Sequence, residues 1–196
     1  MPANIPTIVP ELLRERFALA YQHNRVILFH APCGSGKTVV TRKLLEPYRA
    51  CWLNAEDNVL SLEAMDAHCE TLVVDNLHLL ENSIHKETLC EWIRTQKGQH
   101  FILLTRGAIP GWLMPFQLAG VMESFGLEDL LLDKAAAKAL SDAWGVSLTD
   151  TELGAMLSDT LGYPVALSIL MRTVSKESGY SQSTLNAARQ QLFLYF

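Results

Sequence analysis

The apolar positions of this chain change their spacing along its length. Between residues 10 and 23, Leu13, Phe17, Ala20 and Tyr21 recur at helical intervals and share one face of a predicted helix, with Pro10 suited to its first turn. From Arg25 the pattern turns into short unbroken apolar runs: "RVILFH" (25–30), "ACWLN" (50–54), "TLVVD" (71–75), "HFILLT" (100–105) and, more weakly, "VMESF" (121–125). Unbroken rather than alternating runs predict strands covered on both faces by helices. Helical spacing returns between them, at 37–46 and at 82–95, where Asn82 can cap and Ile84, Leu89, Trp92 and Ile93 form a stripe. The alternation of strand and helix predicts an α/β fold with a parallel sheet of about five strands flanked by helices.

Beyond residue 125 the strand signals stop. Asp133 can cap "KAAAKALSDAW", and Thr149 and Glu152 have the spacing of a capping box. Gly162 suits the end of that helix, Pro164 the first turn of "PVALSILMRTV", and Ser183 the start of a last helix. The expected organisation is therefore an α/β domain over 1–125 and a small helical bundle over 126–196. The apolar ending "QLFLYF" has no polar tail, so the chain is expected to continue in a longer protein.

Composition narrows the class. A hydrophobic content of 49% supports a real core, and 19% charged residues do not suit a disordered chain. A net charge of −5 argues against a free-standing nucleic-acid binder, so no direct DNA binding by this chain is expected. Cys33, Cys51, Cys69 and Cys90 are widely spaced with no CxxC pair, which fits a reducing cytoplasm better than a disulfide framework. His68 and Cys69 are adjacent, which makes a poor metal chelate. No basic leader and no apolar run of about 20 residues is present, so neither export nor membrane insertion is expected.

The chemistry concentrates in "APCGSGKT" (31–38), which matches the phosphate-loop pattern with Ala31 in place of the first glycine. Gly34 and Gly36 let the loop curl so that successive N–H groups face a phosphate chain, and the following helix adds its positive dipole end. Pro32, Cys33, Gly34, Ser35, Gly36, Lys37, Thr38 and Val39 are the expected cradle of ATP or ADP. Within it Lys37 would reach the terminal phosphates, and the Thr38 hydroxyl a magnesium ion. A plain glycine-rich turn is the competing reading, and the placement between a predicted strand and helix favours the cradle. "TLVVDN" brings Asp75 to the end of an apolar strand, where it would hold magnesium through water. Backbone N–H groups and Lys37 would favour a thiolate at Cys33, a liability rather than a catalytic role.

Taken in order, these segments resemble the nucleotide-binding module of the STAND ATPases, and most closely the MalT-like, LuxR-type transcriptional regulators. "RVILFHAPCGSGKTVVTRKLL" is similar to their loop region, "CWLNAEDN" to their tryptophan-led second strand, and "LVVDNLHLL" to their magnesium strand. "ILLTR" resembles a fourth strand ending in a sensor arginine, here Arg106. "GYPVALSIL" resembles the Gly-x-Pro segment that places a proline, here Pro164, near adenine. The resemblance implies an ATP/ADP-dependent signalling switch in which Lys37, Asp75 and Arg106 carry the phosphate chemistry. DNA binding, inducer sensing and self-association are implied for further domains of a parent protein. Arg106 is also an ordinary surface arginine by residue type, and His78 is equally a packing residue or a nucleotide contact; it stays unassigned.

Two departures bear on function. Asn76 stands where the family commonly has a second acid, and the 55–70 segment is short. A small-molecule kinase is the enzymatic rival, but its phosphate-surrounding lid needs arginines and 126–196 has only Arg172 and Arg189. A stand-alone AAA+-like ATPase is the third reading, against which Asn76 speaks. An amide orients water but takes no proton from it, so slow hydrolysis is expected.

Overall fold

Alternate residues of a strand point to opposite faces, and here both faces are apolar. In β1 (Val26–His30), Val26 and Leu28 face one side while Ile27 and Phe29 face the other, and all four are fully buried. A strand of this kind must sit inside a sandwich of helices. The computed structural model, which describes residues 6–57, 69–81, 84–177 and 179–195, shows that arrangement. Helix α1 (Glu11–His23) and α2 (Lys37–Leu44) cover one face through Leu13, Phe17, Val40 and Leu44. The other face is covered by α3 (His85–Thr95), with Leu89, Trp92 and Ile93, and by α4 (Met114–Leu118), with Phe116.

The remaining strands are β2 (Ala50–Asn54), β3 (Thr71–Asp75), β4 (His100–Thr105) and β5 (Met122–Phe125). All pair in parallel in the order β2-β3-β4-β1-β5. The loop strand and the Asp75 strand are thus separated by β4. The register sets His30 opposite Thr105 and Asn54 opposite Asp75, so the carboxyl ends of the strands form one edge. An edge strand, β2 is half-buried throughout, contrary to the expectation of a strand covered on both faces.

After β5 come α5 (Leu127–Leu130), α6 (Lys134–Ala143), α7 (Asp150–Thr160), α8 (Pro164–Glu177) and α9 (Gln182–Tyr195). The last four enclose a core of their own, with Ala137, Leu140, Met156, Leu167, Leu170, Met171 and Leu185 buried in it. Asp133 accepts from the Ala136 N–H at 2.7 Å, and Thr149 and Glu152 form the reciprocal capping box. At the end of α7, Leu161 and Gly162 both take positive φ, and a Cβ on Gly162 would lie 2.5 Å from the Leu132 carbonyl oxygen. Glycine is therefore required there by close backbone approach, which draws the 162–165 segment against the exit from α5.

Three local expectations change. Pro10 is the residue before the first helical turn, not within it. Ser181 rather than Ser183 caps α9: its Oγ accepts from the Thr184 N–H at 3.3 Å, and the Thr184 hydroxyl returns a contact to the Ser181 N–H at 2.8 Å. On α3 the buried stripe is Leu89, Cys90, Trp92 and Ile93, whereas Ile84 precedes the helix and is 79% exposed. Asn82, expected as its cap, lies outside the described residues, as does His68.

Arg16 fastens α1 to the sheet's far edge. It donates to Glu123 at 2.7 Å, to the Ser124 carbonyl at 2.9 Å and to Asp129, and lies over the Phe125 ring. At the opposite end of the strands, His100 stacks on Tyr21 with centroids 4.1 Å apart. Burial pushes the His100 pKa down, partly opposed by the Asn24 backbone and reinforced by Arg25. The folded state thus binds this proton less readily than the unfolded state, so stability from His100 is present above the ordinary histidine pKa and falls as pH drops below it. We expect the thermal midpoint to fall between about pH 7 and about pH 5, and His100→Phe, which keeps a ring on Tyr21, to flatten that fall. An unaltered pH profile in the variant would count against this role.

Candidate nucleotide site

A chain that presents N–H groups inward around an anion must send its carbonyls outward, and buried carbonyls need donors. Each carbonyl of residues 31–34 has one. Lys37 Nζ donates to Ala31 O at 2.7 Å and to Pro32 O at 2.9 Å. Ser35 Oγ also donates to Pro32 O, at 2.9 Å. The Tyr163 hydroxyl donates to Cys33 O, and the Val165 N–H to Gly34 O at 3.2 Å. Gly34 and Gly36 take φ of 77° and 84°, and Gly36 leads directly into α2. Left-handed backbone at both positions gives the loop its curl without a Cβ penalty.

A cavity of about 350 Å³ lies over this loop. Cys33, Gly34, Gly36, Lys37, Thr38 and Val39 line it, together with Asp75, Asn76 and Arg106 from the strand ends and Pro164 from α8. The sequence-predicted residues are therefore brought together, except that Pro32 and Ser35 do not reach the wall. Ser35 is fully buried, and both serve the loop's internal hydrogen bonds. Lys37 differs from expectation too: it touches the cavity but turns its ammonium back onto the loop, and only 9% of it is exposed. Burial holds Lys37 below the usual lysine range, against Cys33 and Asp75 and with Arg106 adding to the lowering.

Thr38 Oγ1 donates to Asp75 Oδ2 at 2.8 Å, so the two oxygens read as magnesium ligands are adjacent. The other Asp75 oxygen accepts from the Asn76 N–H at 2.8 Å. That contact accompanies a left-handed Asn76, φ 55°, a conformation asparagine tolerates better than most residues. The Thr38 hydroxyl in the first turn of α2 and the half-buried Asp75 carboxylate at the end of β3 together suit a hard divalent cation. Arg106 is exposed just past β4 and reaches Asn76 Oδ1 at 3.5 Å. His78 follows in a 3₁₀ turn (Leu77–Leu80); burial lowers its pKa, and Arg106 and Lys37 add to that.

The rest of the cavity lining carries no sequence motif. Thr7 and Ile8 before α1, Leu130 and Leu132 after β5, and Val165 and Ser168 on α8 form a largely apolar wall. Such residues carry no motif, because only the tertiary fold brings the two ends of the chain onto one loop. In sequence Tyr163 is only the middle residue of Gly-x-Pro, yet its hydroxyl donates to the Cys33 carbonyl of the loop.

A five-stranded parallel sheet flanked by helices and followed by a helical C-terminal region is the fold of the P-loop NTPases. Among solved structures, the chain is similar to the Walker-type ATPase PABY2304 of Pyrococcus abyssi, at TM-score 0.66 and 10% identity, over 97% of this chain and 77% of that one. It is similar to RuvB of Thermotoga maritima at TM-score 0.64 and 15% identity, over 94% and 70%. It also matches PH0952 of Pyrococcus horikoshii, a Signal Transduction ATPase with Numerous Domains carrying a tetratricopeptide repeat sensor, at TM-score 0.61 and 12% identity, over 99% of this chain but 33% of that one. No protein-family model and no curated protein matches the sequence.

Because Gly36 holds φ of 84°, Gly36→Ala should cost about 1–2 kcal/mol of stability from the backbone alone. Space is not the cause, since its Cβ would meet Pro164 at an ordinary 3.7 Å. Urea denaturation checks this; an unchanged midpoint would mean the loop relaxes elsewhere.

Proposed function

We propose that this chain is an ATP/ADP-binding switch module of the STAND type, with slow hydrolysis, from a MalT-like, LuxR-type transcriptional regulator. One observation carries the reading. The loop's carbonyls are shared between its own side chains and the 163–165 segment, so a ligand that reshapes the loop acts directly on the start of α8.

In this reading the N–H groups of 33–38 hold the phosphates, Lys37 leaves its carbonyls to meet the terminal phosphate, and Arg106 senses the γ-phosphate. Pro164 and the apolar wall take adenine. Thr38 and Asp75 would hold magnesium, which when bound offsets phosphate charge. ATP and ADP differ in what they offer Lys37 and Arg106, and only such differential contact shifts a two-state equilibrium. The regulator assignment rests on the sequence resemblance, and the structural likeness to PH0952 supports the STAND part. The likeness to RuvB and to ORC1 of Aeropyrum pernix favours, as the second reading, a stand-alone AAA+-like ATPase. Multiple-turnover ATP hydrolysis at ordinary ATPase rates would select it.

Mg–ATP at about 100 times its dissociation constant should stabilise the fold by roughly 2.7 kcal/mol. Lys37→Met, which keeps the aliphatic stem, should abolish most of that shift relative to its own ligand-free midpoint. The variant itself will start somewhat lower, because two carbonyls lose their donor. A full shift in Lys37→Met would remove the assignment of the loop.

Asn76→Asp should raise single-turnover hydrolysis measurably while leaving ATP affinity unchanged, because it places a carboxylate where the amide can only orient water. No acceleration would mean that water is activated from elsewhere. A duplex promoter fragment should not be retarded by this chain at physiological salt, given the charge of −5. Retardation would place DNA binding within residues 1–196.

A further inference from the structure

The strand edge beside Asn76 holds a carboxylate that the scheme above leaves unused. Asn54 ends β2 opposite Asp75 in the parallel register. Its Oδ1 accepts from Asn76 Nδ2 at 3.0 Å and from the Glu56 N–H at 3.2 Å, and its Nδ2 approaches Glu56 Oε2 at 3.4 Å. On the other side, Asn76 Oδ1 accepts from Arg106 Nη2. Arg106, Asn76, Asn54 and Glu56 therefore form one file of polar side chains across the ends of β4, β3 and β2. The file begins at a cation that borders the cavity and ends at an anion.

Neither asparagine can take a proton at neutral pH, and Asp75 is committed to Thr38 and the Asn76 N–H. Glu56 is the member of the file that can. Its carboxylate is exposed, so a proton gained there passes readily to solvent. When Arg106 turns to a γ-phosphate, Asn76 Oδ1 loses its donor and becomes free to accept from a water molecule at the same edge.

We propose that Glu56 is the proton acceptor for ATP hydrolysis in this chain, with Asn54 as its positioning residue and Asn76 as the group that orients the water. In the step, the water oxygen forms a bond to the γ-phosphorus as the bond from γ-phosphorus to the bridging oxygen breaks. The bridging oxygen keeps the electron pair and leaves with ADP. The water's proton passes to the Glu56 carboxylate, directly or through one further water. The proposal rests on the reading of the cavity as an ATP site.

Single-turnover hydrolysis of radiolabelled Mg–ATP and the ATP-induced thermal shift, measured on the full chain, test it together. Glu56→Gln should lower the slow wild-type rate by about 10²-fold with the thermal shift retained. Formate should restore part of the activity of Glu56→Ala, which a merely structural residue would not allow. In the Asn76→Asp background the same Glu56→Gln change should cost little, because a carboxylate then stands at the water itself. Without nucleotide, the Asn54 side-chain amide resonances should move in Glu56→Gln, reporting the file independently of turnover.

A wild-type rate in Glu56→Gln overturns the proposal, as does wild type that never exceeds the uncatalysed rate. Loss of turnover in His78→Gln with Glu56→Gln unaffected would assign the base to His78 instead. Absence of any ATP-induced shift in wild type would instead remove the nucleotide site itself, and the role of Glu56 with it.

Discussion

The structure turns on where four consecutive carbonyls find their donors. Ala31, Pro32, Cys33 and Gly34 curl over the end of β1, and a curl that frees N–H groups for an anion leaves each C=O facing protein. An unpaired buried carbonyl costs about 1–3 kcal/mol, comparable to a fair share of a domain's net stability. Lys37 and Ser35 meet two of them from within the motif. Tyr163 and Val165 meet the other two from 130 residues away in the chain, counted at the Tyr163–Cys33 contact. The loop is consequently not a finished cradle onto which a helical region is later placed; its shape depends on that region being there.

Sheet order supplies the second constraint. With β4 between β1 and β3, the end of β4 lies flanked by the loop on one side and Asp75 on the other. Arg106, one residue past β4, is consequently near both without any special loop. Asn54 becomes a neighbour of Asp75 by the β2–β3 register alone. Parallel pairing sets Asn54 beside Asp75, and side-chain hydrogen bonds carry the polar file from Arg106 to Glu56.

Much of this was legible because the physics was local. The unbroken runs at 71–75 and 100–105 gave strands with their observed limits, and the caps at Asp133 and Thr149 lie within three residues of the groups they satisfy. Lys37, Thr38, Asp75 and Arg106 were found by motif, and the fold brings them to one cavity. What stayed hidden depends on contacts between distant residues. Half-burial of β2 follows from its place at the sheet edge, which its own apolar residues do not announce. Ile8 and Leu132 carry no chemical signature, yet they wall the same cavity. Glu56 stands in the sequence within the "CWLNAEDN" segment but without a role, and the Asn54–Asn76 contact connects it to the site.

The inward turn of Lys37 joins these constraints to the proposed switch. In this conformation the ammonium sits among carbonyl dipoles, shielded from water, and burial makes its charge harder to hold. A phosphate chain in the cavity would offer it a full anion instead of two dipoles, a stronger partner for a desolvated charge. Leaving the loop, however, strips Ala31 and Pro32 of a donor, and Ser35 Oγ can cover only Pro32. If Lys37 turns to a phosphate as proposed, the loop backbone would have to rearrange with it. The carbonyls of Cys33 and Gly34, next in the chain, are the ones fastened to Tyr163 and Val165. The two pairs are adjacent in the chain, with only the φ and ψ of Cys33 between the Pro32 and Cys33 carbonyls, so a shift at one pair is transmitted to the other unless those torsions absorb it. In the proposed switch, the phosphate state would reach α8 through adjacent backbone and two hydrogen bonds, those of Tyr163 and Val165.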